Sequence, residues 1–435
     1  MIKNTIVIAL ISLCCSWAYS SEQTDADWRM LIATSKLPYS DQAYCYTDEF
    51  GNIYGENIDI KVRLASVSKL VTSLWALDVH GPNYKYNTKL FIKNNQLHIA
   101  GSFDPFMGNE KIFFLLSQLN DLGYTNFVNI TFDKNFLVFP NAEGHMDDYP
   151  TLTHESIAKN IMAYFNTATW TPAMKSEYSR IAKLALPNRM RKEVKFELAA
   201  ATFVEKNPLE GDPLARSLTL SSPALYKYLK EMNVESNNFV AHTLYLELGG
   251  EQKFTDYLLN QFGLTSETIH FWSGSGLPAI VNNERKDNYA TCSSMLELIK
   301  SLKNVSEKEG REIEDIVAVP GSDEGTFRNR IFPADYKNAF VAKTGTLMHT
   351  STLAGAMSTK RGFNFYGIFN QSKDIEGSKI VQNAMVRSIM TDMGGPKAFN
   401  YIVSDFDTYG NDNVKNLLKL LLEKSDFMPF ENNLY

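Results

Sequence analysis

The chain is poor in cysteine, with four in 435 residues, which excludes a small disulfide-framed scaffold. It also lacks long apolar runs. One short run lies near the start, Ile6 to Leu13, and nothing later approaches the roughly 20 uninterrupted apolar residues of a membrane-spanning helix, so no transmembrane segment is expected. Positive charge is not in excess either: 43 Lys and Arg against 49 Asp and Glu give a net charge of −6. The basic residues are scattered rather than gathered into a stripe, so nucleic acid is not an expected partner. No internal repeat or low-complexity tract is present, which removes solenoids and compositional linkers.

The first residues have the pattern of an export leader. Lys3 is the only charge before Ile6–Leu13, and Ala18-Tyr19-Ser20 places small residues at −3 and −1. Cleavage is expected after Ser20, which makes 1–20 a signal peptide. Leu13 precedes Cys14 where a lipobox wants a small residue, so the leader reads as discarded whole. Only Cys45 and Cys292 then remain. They suit either one bridge in an oxidising compartment or two buried thiols acting as small apolar side chains. The mature chain is long enough for two or three domains, or for one large body carrying an insertion.

Residues from about Trp28 to Tyr54 read as strands joined by turns at Asp48, Gly51 and Asn52. From Ser66 to Val79 the apolar residues Val67, Leu70, Val71, Leu74, Trp75 and Leu77 keep a helical period, and Gly81-Pro82 ends it. The texture then changes. Strand-like pieces at Lys89–Ile92, Gln96–Ala100 and Asn126–Phe132, with a helix over Glu110–Leu122, read as a small α+β module. The expected division is a body over 21–85, an insert over 86–204, and the rest of the body over 205–435. Helices are expected at about Pro223–Met232 and Asn238–Leu248, flanking Ser236. Strand-like stretches at Asn338–Ala342 and Ser351–Met357 flank an expected tight turn at Gly345, and Ile380–Met393 reads as a helix.

Three short motifs occur in order: Ser66-Val67-Ser68-Lys69, Ser236-Asn237-Asn238 and Lys343-Thr344-Gly345. Singly they are weak, since a chain of this length should show about two S-x-x-K matches by composition. A second match is indeed present, Ser156-Ile157-Ala158-Lys159. On a helix, residues i and i+3 share a face, so Lys69 can reach the Ser66 hydroxyl. A serine hydroxyl is a poor nucleophile until a neighbouring base takes its proton, and lysine is such a base only when desolvated or beside another cation. Lys343 is a candidate for that cation. The helix N-terminus at Ser66 favours a developing oxyanion. Thr344 and Thr346 offer two hydroxyls beside Lys343, a suitable grip for a carboxylate, and Gly345 lets backbone pass close to a ligand. Ser236 and Asn238 lie between helices, where they can move a proton and bind an amide.

These motifs resemble the penicillin-binding protein and serine β-lactamase superfamily, whose signature is S-x-x-K, S-D-N and K-T-G. The closer resemblance is to the low-molecular-mass class C members, the D-alanyl-D-alanine carboxypeptidase and endopeptidase family. Leu64 to Leu70 looks like that family's nucleophile segment, and Ala100-Gly101-Ser102-Phe103-Asp104-Pro105 like its Gly-Gly-Asp-Pro segment opening an inserted domain. Ser273-Gly274-Ser275-Gly276-Leu277 resembles its Asp-Gly-Ser-Gly-Leu element, and Gly325-Thr326-Phe327 with Arg328 its Gly-Thr-Leu-x-x-Arg stretch. One departure is Asn237, where the family usually has Asp. The interval from Ser66 to Ser236 is also shorter than in large members, which suggests one insertion.

The resemblance implies an α+β fold: a penicillin-binding transpeptidase/β-lactamase-like body, a mainly antiparallel sheet flanked by helices, carrying one small inserted α+β domain. It implies Ser66 as nucleophile, Lys69 as base, Ser236 and Asn238 in proton transfer and amide binding, and Lys343 with Thr344, Gly345 and Thr346 in carboxylate binding. It also implies periplasmic action on peptidoglycan stem peptides and cross-links, covalent inhibition by β-lactams, and no metal or organic cofactor. Asp147 and Asp148 loosely match the family's acidic substrate contact; solvated loop aspartates are the alternative. Ser66 as a mere helix cap, a β-lactamase, and an inactive peptidoglycan-binding scaffold are the rival readings. Nothing around Ser156 resembles a nucleophile segment. His145 and His154 beside Asp147-Asp148 lack metal-ligand spacing. Val414 to Leu422 is expected to dock on the body rather than on a membrane.

Overall fold

The computed structural model describes residues 22–144, 148–185, 189–403, 406, 408 and 409. The proposed leader, Asp147, His145 and Val414–Leu422 lie outside them. The chain divides into two compact units. One holds the described residues up to Pro82, Asp148 and those from Tyr226 onward to 403; the other holds the described residues of Asn83–Gly144 and Tyr149–Leu225, with 406, 408 and 409.

The first unit is built on a five-stranded antiparallel sheet, in the order Phe340–Leu347, Thr350–Thr359, Gly362–Asn370, Gln42–Thr47, Ile53–Glu56. All six residues of Gln42–Thr47 are buried, because helices cover both faces. Side chains alternate along a strand. Tyr44 and Tyr46 therefore join one core with Trp28, Ile32, Val381, Met385 and Ile389, while Cys45 points the other way and bonds to Cys292 at the start of helix Cys292–Lys308. Of the two readings for these cysteines the bridge is present, with Cα atoms 6.0 Å apart across a sequence separation of 247. Trp28 sits on a helix, residues 22–34, and not on a strand: its buried face recurs every four residues at Thr24, Trp28 and Ile32, and the first of these is polar. The central helix, Ser68–His80, is buried continuously from Ser68 to Leu77, as expected of a helix enclosed on all sides.

The second unit carries its own five-stranded sheet, ordered Glu197–Phe203, Asn126–Phe132, Gln96–Ala100, Asn87–Lys93, Arg216–Ser221. Helix Asn109–Asp121 makes the crossover between the parallel strands Gln96–Ala100 and Asn126–Phe132. This unit extends past residue 204, because Arg216–Ser221 pairs antiparallel with Asn87–Ile92. The polar stretch 205–215 is therefore a loop within it rather than the return to the body. Ala100–Pro105 lies inside this unit as a strand-to-helix turn. Its Asp104 forms a buried ion pair with Lys111.

Candidate active site

Ser66 stands in a single 3-10 turn, Ala65–Val67, that runs directly into helix Ser68–His80. The hydroxyl is half-buried, and one turn later Lys69 is fully buried beside it. Lys69 Nζ lies 2.9 Å from Ser66 Oγ, 2.6 Å from Asn238 Oδ1 and 2.8 Å from the Ser275 carbonyl. Burial, and next the positive charge of Lys343, hold its pKa well below the ordinary lysine value. Lowering the pKa favours the neutral amine, the form that can accept the Ser66 proton.

Ser236 follows helix Leu225–Val234 with φ 57°, and helix Asn238–Glu247 begins two residues on. Asn237, where the resemblance anticipates Asp, caps that second helix by accepting from Val240 N at 2.9 Å. Either residue type can do this, so the replacement leaves Ser236 and Asn238 placed. Lys343 Nζ donates to Ser236 Oγ at 2.9 Å and to the Thr344 carbonyl at 3.0 Å. It too is fully buried, and desolvation lowers its pKa to about 7.

Lys343, Thr344, Gly345 and Thr346 all belong to strand Phe340–Leu347. The expected tight turn at Gly345 is incorrect, since the strand continues through it and the chain reverses at Met348-His349. Glycine serves a different purpose there. A Cβ at Gly345 would strike Thr352 Oγ1 and come within 2.7 Å of the Leu64 carbonyl and 3.0 Å of Ala65 Cβ, so only glycine lets the strand lie against the Ser66 turn. Gly276 does the same from the other side: with φ 86°, its missing Cβ is where the Ala65 carbonyl stands. Ala65 and Ser236 both hold positive φ, 48° and 57°, a conformation unfavourable for non-glycine residues and found preferentially at functional sites.

Sequence reasoning missed Asn288. Its side chain, almost fully buried, donates to Ser68 Oγ at 3.1 Å and to the Ser273 carbonyl at 2.6 Å, and accepts from Trp272 N and Ser273 N. It thereby ties the loop that supplies the Ser275 carbonyl to the helix bearing Lys69. No local signal marks it, because Ser68 is 220 residues away. The second S-x-x-K is placed in the other unit, where Ser156 completes a capping box with Thr153 at the start of helix His154–Tyr164 and Lys159 is exposed. Asp148 is exposed. His154 stacks on Phe203 at 3.5 Å between ring centroids, and among the described residues no group of side chains could hold a metal ion.

The model of the D-Ala-D-Ala carboxypeptidase 3 family matches residues 46–151 and 166–391, a span that contains Ser66, Lys69, Ser236, Asn238 and Lys343. The chain belongs to the D-Ala-D-Ala carboxypeptidase 3 (S13) family. Its class of activity is thus serine-type D-Ala-D-Ala carboxypeptidase/endopeptidase. Among solved structures, a predatory peptidoglycan endopeptidase from Bdellovibrio bacteriovorus is 28% identical, with a TM-score of 0.77, covering 87% of this S13 chain and 98% of its own. The same endopeptidase acylated by penicillin G, in complex with an immunity protein, is 27% identical with a TM-score of 0.72, covering 84% and 97%. Penicillin binding protein 4 from Haemophilus influenzae, complexed with a β-lactam, shares the fold at 17% identity and a TM-score of 0.55, covering 82% and 99%. Comparison with curated proteins finds no match.

Proposed function

We propose that this S13 peptidase cleaves D-Ala-containing stem peptides and cross-links of peptidoglycan through an acyl-enzyme on Ser66. The observation that carries the reading is the fully buried Lys69 amine, 2.9 Å from Ser66 Oγ. Ser66 Oγ bonds to the penultimate D-Ala carbonyl carbon while neutral Lys69 takes its proton. The N–H groups of Ser66 and Thr346 receive the oxyanion. Collapse breaks the C–N bond, and the leaving amine takes a proton from Ser236, which regains one from protonated Lys69, so that Lys69 is neutral again; Lys343 supports Ser236 as a cation 2.9 Å away. Asn238 holds Lys69 through its Oδ1 and presents its amide nitrogen to the substrate. Lys343, Thr344 and Thr346 take the terminal carboxylate. Water then hydrolyses the ester, Lys69 accepting its proton and returning it to Ser66. A β-lactam enters by the same attack and stays bound.

Residues 1–20 serve as an export leader in this reading, and the site works in the periplasm. The Cys45–Cys292 bridge supports that placement, since structural disulfides persist in oxidising compartments. A mature N-terminus at Ser21 is expected on sequencing the secreted protein; retention of the leader would refute it.

Incubation with a fluorescent penicillin tests the chemistry. Wild type and Ser156→Ala should take one stable label, and Ser66→Ala none. Label that appears and is rapidly released would indicate a β-lactamase, and an unlabelled wild type an inactive scaffold. Labelling lost in Ser156→Ala and kept in Ser66→Ala would move the chemistry to the other unit.

A further inference from the structure

We propose that Thr326 is a positioning residue for carboxylate binding, its hydroxyl turning to donate to Thr344 so that the Thr344 proton is released to the ligand. This rests on the peptidase reading above. In the structure the Thr344 hydroxyl donates to Thr326 Oγ1 at 3.0 Å. Each hydroxyl has one proton and two lone pairs. A carboxylate only accepts, so a Thr344 that gives its proton to Thr326 cannot also give it to the ligand. When Thr326 donates instead, the chain runs Thr326 to Thr344 to carboxylate, and each bond polarises the next.

The structure holds Thr326 firmly enough for this. It lies in the 3-10 turn Gly325–Phe327, and a Cβ at Gly325 (φ 38°) would strike the Val234 carbonyl, so the turn is seated on the end of the helix that leads to Ser236. Asp323, just before the turn, is anchored on three sides. It accepts from Val319 N at 2.7 Å, from Tyr401 Oη at 2.7 Å and from Lys230 Nζ at 2.5 Å. Lys230 in turn donates to the carbonyls of Glu314 and Val317 at 2.9 and 2.8 Å, and its ammonium lies 4.5 Å from the centroid of the Tyr401 ring. Phe327 is buried in the core with Trp28, Ala318 and Phe340. Arg328, by contrast, is exposed and pairs with exposed Glu324 at 3.4 Å. Of the Gly-Thr-Phe-Arg run, the threonine is thus the member turned toward the site.

The test compares benzylpenicillin with its methyl ester, which has no carboxylate, on the mature chain at concentrations that label wild type measurably. Thr326→Val should weaken half-saturation for the acid about tenfold, the size expected of a lost charge-assisted hydrogen bond, and leave the saturated acylation rate within about twofold. With the ester it should match wild type. Thr326→Ser should restore the acid to within about twofold of wild type. Equal losses for acid and ester, a loss confined to the saturated rate, or no loss for the acid would overturn the relay while leaving the peptidase reading intact. If Thr326→Val does not fold, as judged by its melting transition, Thr326→Ala takes its place in the same comparison. An unlabelled wild type would overturn both readings.

Discussion

Replacing Lys69 with arginine keeps a cation at the site and removes the base. In wild type, acylation should rise with pH as Lys69 loses its proton and fall again as Lys343, near 7, loses the charge that supports Ser236 and the carboxylate. A bell is the expected profile, its acid limb displaced well below the ordinary lysine range and its two limbs belonging to the coupled pair. An ordinary lysine at pKa about 10.4 would be neutral in only roughly one molecule in 2,500 at pH 7, so the depression of Lys69 supplies most of the active base. Arginine, with a pKa above about 12, supplies essentially none. Loss of a general base costs about 10²- to 10⁴-fold, and the acylation constant should fall by that much across the whole pH range. Guanidinium is larger than an ammonium, and Lys69 has no exposed surface. Lys69→Met therefore accompanies it as the less bulky control, with melting temperature checked for both. The assay is stopped-flow or gel-based penicillin labelling from pH 5 to 10. Acylation by Lys69→Arg within tenfold of wild type, or a wild-type rate with no acid limb, would refute the assignment.

Lys343 costs stability for the same reason that it functions. Its folded pKa of about 7 lies below the unfolded value near 10.4, so the unfolded chain binds more protons between those values and stability rises with pH across that window. Lys343→Met should abolish acylation and be more stable than wild type at pH 6 by on the order of 1–3 kcal/mol, the gap narrowing toward pH 10; a variant less stable at pH 6 contradicts this. Removing the bridge with Cys45→Ala and Cys292→Ala, which span 247 residues, should cost about 2–5 kcal/mol in denaturant melts and leave acylation of the folded protein unchanged. Unaltered stability would contradict that. Asp147→Asn or Asp148→Asn should lower turnover of a diamino-acid stem peptide roughly ten- to hundredfold, the loss of an amine–carboxylate hydrogen bond, with penicillin acylation unaffected; equal effects on both reactions, or on neither, exclude the contact.

Much of the site depends on short spacings, and these are legible in sequence. Ser66 and Lys69 are one helical turn apart, so backbone geometry alone presents the amine to the hydroxyl. The alternating and 3.6-residue periods likewise locate strands Gln96–Ala100 and Asn126–Phe132 and the helix after Ser66. Four-letter motifs do not say which of two S-x-x-K runs is desolvated. That depends on what packs around each: Asn238 and Ser275 enclose Lys69, while Lys159 is left in solvent. The same limit hid the strand character of Gly345, since glycine marks a turn locally and marks close backbone approach only when the Ser66 turn is known to lie beside it. Pairing of Arg216–Ser221 with Asn87–Ile92, the Cys45–Cys292 bridge and the role of Asn288 are contacts over more than a hundred residues. Local preference carries no information about them, and only the packed tertiary structure brings those partners within reach.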